Sequence, residues 1–206
     1  MFIDIDATME HREPNYDMIE SIASECFMPV CYGGGVKRID QMKKIFSLGI
    51  EKISLSSLVV ESPAIIKEAV RIFGGQSIIV TVDIKKDFLG RKKVFMYNAK
   101  KNTKYNPIDF IKNVIDLGVG EIVLNSIDND GMMTGYDLEL LENIKKLINI
   151  PLIALGGAGK LDDILKVVDD IGISASAGSL FVYHGALRGV LISYPTPNEI
   201  EKYRRN

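Results

Sequence analysis

Asp83 closes an uninterrupted β-branched run, Ser77 to Val82. A carboxyl at the point where a buried strand opens toward solvent is a candidate general acid/base whose pKa its surroundings set; the alternative is a helix cap or a loop-bonding group. Other apolar runs end in glycine or serine: Gly33-Gly34-Gly35, Gly156-Gly157-Ala158-Gly159, Ser56-Ser57 and Ala177-Gly178-Ser179. Backbone N–H groups at such breaks can approach an anion closely. Gly34, Gly35, Ser56, Ser57, Gly157, Gly159, Gly178 and Ser179 are therefore candidate phosphate ligands arranged as two cups, which suits a substrate with a phosphate at each end. The competing reading is that these glycines only terminate strands. Asp128 and Asp130 either bind hydroxyls or cap the turn that follows. Asp4 and Asp6 stand at the mouth of the first strand, with Asp4 the candidate substrate contact. Four acidic positions without Cys or His around them point only weakly to a hard metal because they are dispersed, and His11 and His184 are lone loop residues, so neither a metal nor another cofactor is expected.

The elements that must position these groups repeat. At a constant offset Gly33-Gly34 falls on Gly156-Gly157, Lys37 on Lys160, Asp40 on Asp163, Gly49 on Gly172 and Ser56 on Ser179. Each copy reads as strand, glycine loop, amphipathic helix, strand, small-residue loop, so the fold is built of two related halves. Strands are expected at 1–5, 27–32, 52–55, 77–82, 121–126 and 151–155, with a further one before Ala177. Helices are expected at Tyr16–Ala23, Arg38–Leu48, from Ser62-Pro63 to about Phe73, after Pro107, at Leu138–Leu147 and at Leu161–Val168. Ser62 reads as an N-cap with proline in the first turn. Residues 87–103 read as a charged hairpin excursion. Alternating apolar strands and helices imply a parallel sheet covered by helices. Functional-looking residues at successive strand ends favour a TIM-type (βα)8 barrel over an open sheet. Seven strands are expected where eight are needed, and the repeat places the gap before the first: residues 1–206 read as one barrel domain, strands 2 to 8, with the first βα unit absent. Such a barrel exposes strand edges.

Composition narrows the function classes. Net charge is −2, and no basic cluster stands out before the short tail from Lys202 to Arg205, so nucleic acid is not an expected partner. Cys26 and Cys31 make neither a disulfide framework nor a metal site. No apolar run approaches a membrane span and no signal-peptide pattern begins the chain, so no membrane partner and a cytoplasmic location are expected.

Thr81-Val82-Asp83-Ile84-Lys85, Ser126-Ile127-Asp128-Asn129-Asp130-Gly131, Gly135-Tyr136-Asp137, Gly33-Gly34-Gly35 and Gly156-Gly157-Ala158-Gly159-Lys160, with Gly120-Glu121-Ile122, resemble the cyclase subunit of imidazole glycerol phosphate synthase over essentially the whole chain. The resemblance implies a lyase in histidine biosynthesis. It takes a ribulosyl aminoimidazole carboxamide ribotide with a phosphate at each end, and ammonia from a glutaminase-type amidotransferase partner. It also implies that Asp83 is one of two catalytic aspartates, that Asp130 and Gly131 lie against substrate, and that Lys52 and Glu121 belong to a charged ammonia gate; without it they read as ordinary strand-edge charges. The other catalytic aspartate of the family lies on the first strand. Asp4-Ile5-Asp6-Ala7-Thr8, Arg12-Glu13-Pro14-Asn15 and Glu25-Cys26-Phe27-Met28-Pro29 resemble more closely a paralogous branch associated with acetamidino sugars of surface polysaccharide. Met132, where the family has Thr, and Ser56, where it has Asn, depart from the cyclase pattern. Three functions follow: an ammonia-channelling subunit of the paralogous branch, the histidine-pathway cyclase, or a non-catalytic interaction module.

Overall fold

The computed structural model describes residues 1–97, 99–185 and 187–204; of the basic tail, Arg205 lies outside them. The spine is a parallel sheet in the order β1 (Phe2–Ile3), β2 (Cys31–Gly33), β3 (Lys52–Leu55), β4 (Ile78–Lys86), β7 (Glu121–Ser126), β8 (Leu152–Leu155) and β9 (Ser174–Ala175). The intervening β5 (Lys92–Met96) and β6 (Lys101–Asn102) form an antiparallel excursion from β4. This is the expected α/β architecture of βα units in chain order. Among the described residues no hydrogen-bonded pair joins β1 to β9, so the sheet is open between its two end strands.

Side-chain alternation gives the sheet two unlike faces. One packs on α2 (Tyr16–Glu25), α3 (Ile39–Ser47), α5 (Pro63–Phe73), α6 (Pro107–Asp116) and α7 (Leu138–Lys145) through Ile19, Ile45, Ile66, Ile111 and Ile144, all buried. The other face is concave, and its apolar cluster is small: Cys31, Ile79 and Val123, with Ile153 and Leu155 against them. Burial pushes the Cys31 thiol up to about 11, which leaves it an unreactive packing group.

Several boundaries differ from the sequence reading. The first strand ends at Ile3, because the Asp4 carboxylate accepts the Ala7 N–H and starts α1 (Ile5–Met9) inside the expected loop. The second begins at Cys31 rather than Phe27, leaving Phe27 and Met28 exposed before it. Pro63 does open α5, but the Ser62 side chain makes no cap bond. The last expected helix is split into α8 (Leu161–Leu165) and a π-helical turn, Lys166–Ile171, ended by Gly172 in left-handed conformation.

The repeat is real but not in uniform register. Gly34 and Gly157 correspond: a Cβ on Gly34 would lie 2.2 Å from the Asp4 carbonyl oxygen, and one on Gly157 2.1 Å from that of Gly135. Both have positive φ, so no other residue fits. Further on, Arg38 caps α3 and Lys160 caps α8, and the bonding residue within the helix is Gln41 in the first copy and Asp163 in the second. The first loop is thus one residue longer, and Asp163 matches Gln41 instead of Asp40.

Candidate functional site

The carboxyl ends of β1 to β4 and β7 surround a cavity of about 370 Å³. Asp83 lies on its wall, 8 % exposed. Parallel register sets Asp83 beside Asn125 on β7, and Asn125 donates from Nδ2 to Asp83 Oδ1 at 2.9 Å. Ser56 donates to Oδ2 at 3.2 Å. Burial pushes the Asp83 carboxyl above its ordinary value; the bonds from Asn125 and Ser56 act against that shift and the charge of Asp130 adds to it. A buried carboxyl whose proton is held more tightly than an ordinary one, at the wall of a cavity, is a candidate for general acid–base chemistry.

Around Asp83 the structure gathers Gly34, Gly35, Ser56, Ser57, Asp4 and Asp130 on the same cavity. Not all face it freely. Asp4 is held by the two terminal guanidinium nitrogens of Arg12, at 2.6 and 2.7 Å, so both of its carboxylate oxygens are already engaged. The Gly35 N–H donates to Thr8 Oγ1 at 3.2 Å, since α1 brings Thr8 across the first cup. Ser57 Oγ accepts the N–H of Tyr97, whose phenol hydrogen-bonds Glu61. Tyr97 has φ 54°, an uncommon conformation for an aromatic residue, and these two bonds hold the hairpin over the cup.

The second cup does not line this cavity. There Gly159 N–H donates to Asp163 Oδ2 at 2.9 Å, so it is engaged within the chain, as the Lys37 and Arg38 N–H groups are with Gln41 Oε1. Ser179 opens α9 (Ser179–Val182) after Gly178, and its hydroxyl lies 4.0 Å from where a Cβ on Gly131 would stand, so the Asp130-Gly131 turn abuts this cup. Asp128 is a structural bonder: its Oδ2 accepts the Lys86 N–H at 2.8 Å and ties the hairpin to β7.

Lys52 and Glu121 form an ion pair at the amino ends of β3 and β7, across β4. Alternation along β7 places Glu121, Val123 and Asn125 on one face, and along β4 Ile79, Thr81 and Asp83. The pair and the acid therefore stand at opposite ends of one interior, with Ser54 Oγ and Thr81 Oγ1 hydrogen-bonded at 2.7 Å between them.

Sequence reasoning passed over Lys37, Asn125, Thr8 and Tyr97. Lys37 lines the cavity and has no ion pair among the described residues; the repeat set it on Lys160, but the caps pair Lys160 with Arg38, so the repeat gave it no true signal. Asn125 follows from two-residue alternation after Glu121. Thr8 and Tyr97 reach the site by tertiary contact and had no local signal. Among the described residues no group of His, Cys, Asp or Glu could hold a metal ion, and no helix is long and apolar enough to cross a membrane.

A parallel βα sheet curled around a cavity at its strand carboxyl ends defines a TIM-type barrel protein. Residues 1–188 match the family described as histidine biosynthesis protein, and the chain belongs to it. It is 50 % identical over 202 residues to a Vibrio vulnificus protein provisionally named imidazole glycerol phosphate synthase subunit hisF3, covering 97 % of this chain and 78 % of that one. A Pseudomonas aeruginosa protein, provisionally named subunit hisF2, is 44 % identical over 202 residues, 98 % of this chain and 80 % of its own. The imidazole glycerol phosphate synthase subunit HisF of Alkaliphilus metalliredigens is 36 % identical over 185 residues, 89 % and 73 % of the two chains.

Proposed function

We propose that this chain is the ammonia-accepting, synthase-like subunit of a two-component enzyme. A glutaminase-type partner delivers ammonia at the Lys52–Glu121 end, and the ammonia travels to the Asp83 cavity. The ammonia serves the formation of an acetamidino group on a sugar destined for surface polysaccharide, a step completed by a separate amidotransferase. The observation that carries the proposal is the placement of that ion pair and the buried acid at opposite ends of one strand-lined interior. Identity supports the paralogous branch: it is 44 to 50 % with the hisF2 and hisF3 proteins and 36 % with the HisF above. In this reading Gly34, Ser56, Ser57 and Lys37 hold one anionic end of a phosphorylated substrate. Gly157, Gly178 and Ser179 hold the other, with Asp130 and Gly131 between. Asp83 moves the proton. Assignment of the strands to positions two to eight of an eight-strand barrel is part of the proposal and rests on the open edges of β1 and β9.

The histidine-pathway cyclase is the second reading, favoured by a buried acid with raised pKa beside Asp130 in the cavity. Both are tested by co-purifying the chain with a glutaminase-type partner and following the ribulosyl bis-phosphate substrate under ammonium salt and under glutamine. Turnover of that substrate establishes the cyclase. Stable association with stimulated glutamine hydrolysis but no turnover establishes the channelling subunit. Failure to associate with any glutaminase-type partner sinks the channelling reading. Lys52→Met sharpens the test: glutamine-driven activity should fall while activity on free ammonium persists.

A further inference from the structure

The hairpin of β4 and β5, with β6 beside it, concentrates charge. Contrary to the expectation that no basic cluster precedes the tail, residues 85–104 hold eight basic side chains and one acid, Asp87, in a chain whose net charge is −2. Antiparallel register sets Lys85 opposite Lys93 and Lys86 opposite Lys92. Like charges directly opposite one another destabilise such a pair. Lys92 is relieved by Asp137 at 2.7 Å and Arg91 by Asp87 at 2.9 Å. Lys85, Lys86, Lys93, Lys100, Lys101 and Lys104 have no ion pair among the described residues. At the tip the Asp87 carboxylate accepts the N–H groups of Leu89 and Arg91, both at 2.9 Å, which pins the turn. It holds Phe88 and Leu89 in solvent, 93 % and 60 % exposed.

The order along the hairpin decides what it fits. The apolar tip leads and the opposed lysines follow two to four residues behind, roughly 7–13 Å at the rise of a strand. An acidic protein face would need a pocket cut for Phe88 as well as matching charges. An anionic bilayer presents apolar matter beneath a negative layer in that order and at about that depth. We propose that this hairpin docks the protein on an anionic lipid surface, with Phe88 and Leu89 entering the interface and the lysines on the headgroups. Because β4 passes Asp83 on its way to the tip, docking turns the mouth of the cavity toward the lipid. The proposal is independent of the ammonia reading. The expectation of no membrane partner rests on the lack of an apolar span and does not bear on a surface contact.

The test is co-sedimentation of the full chain with vesicles of phosphatidylcholine alone or mixed equally with phosphatidylglycerol, at low and high salt. Partition into the anionic vesicles should exceed that into neutral ones by at least about tenfold and be lost at high salt. Phe88→Ser with Leu89→Ser, and separately Lys85→Gln with Lys93→Gln, should each lower it by about tenfold or more. The lysine variant relieves repulsion, so it should melt no lower than the parent by circular dichroism, which separates lost binding from lost folding. Equal sedimentation with both vesicle types, or variants that bind like the parent, overturns the proposal. Capture by poly-glutamate without binding to vesicles also overturns it and assigns the hairpin to an acidic protein.

Discussion

Asp83 shows how one residue's surroundings set its chemistry. With its carboxyl pKa raised by burial, the native state binds more protons than the unfolded chain between the unfolded value, near ~4, and the raised folded one. Stability contributed by Asp83 is therefore fully present below that window and falls as pH rises through it. Asp83→Asn should be relatively more stable than the parent at neutral pH, with the advantage shrinking in acid; urea denaturation at both pH values reads this directly. In the cyclase reading the same substitution should lower turnover by at least about 100-fold. Wild-type turnover in Asp83→Asn would remove its catalytic assignment. The Asp4–Arg12 pair carries a different expectation. Because Arg12 occupies both Asp4 oxygens, Asp4→Asn should act first on the α1 segment and the shape of the cavity, read as faster hydrogen exchange over residues 5–12.

At the scale of the element, the glycine loops are set by contact with a neighbouring backbone. Gly34→Ala or Gly157→Ala combines a positive φ with a Cβ about 2 Å from a carbonyl oxygen, and should destabilise by about 2–4 kcal/mol in urea melts. Gly172→Ala has a positive φ but nothing within 4 Å and should cost only about 1 kcal/mol. Equal losses at the two kinds of position would show that backbone conformation alone decides. The hairpin is tied by Ser57 and Asp128, so Ser57→Ala should loosen it locally: exchange at Tyr97 quickens while the global melt moves little.

For the whole molecule, a ligand that spans the barrel mouth binds only the folded state. If the proposed two-ended anion site holds, a bis-phosphorylated ligand at a hundredfold excess over its Kd should add about 2.7 kcal/mol to the stability. Lys37→Ala should shrink that gain without shifting the unliganded melt, because Lys37 has no ion pair among the described residues to lose. A gain undiminished in this variant would place the anion elsewhere.

Local pattern determined the alternation of strand and helix, the two glycine loops and the position of Asp83 at a strand end, because two-residue and 3.6-residue periods and glycine breaks are written into neighbouring residues. It also carried the repeat. It could not show that Gln41 rather than Asp40 matches Asp163, since a one-residue loop insertion is visible only when the caps form. Nor could it show that Arg12 engages both oxygens of Asp4, that Thr8 and Tyr97 close on the first cup, or that the second cup stands outside the cavity, for those depend on tertiary contacts between segments. The lysines of residues 85–104 read as a merely charged stretch until antiparallel register set them face to face. Composition and period are local properties and survive in the unfolded chain; which side chain meets which is decided by register and packing, and these exist only in the folded sheet.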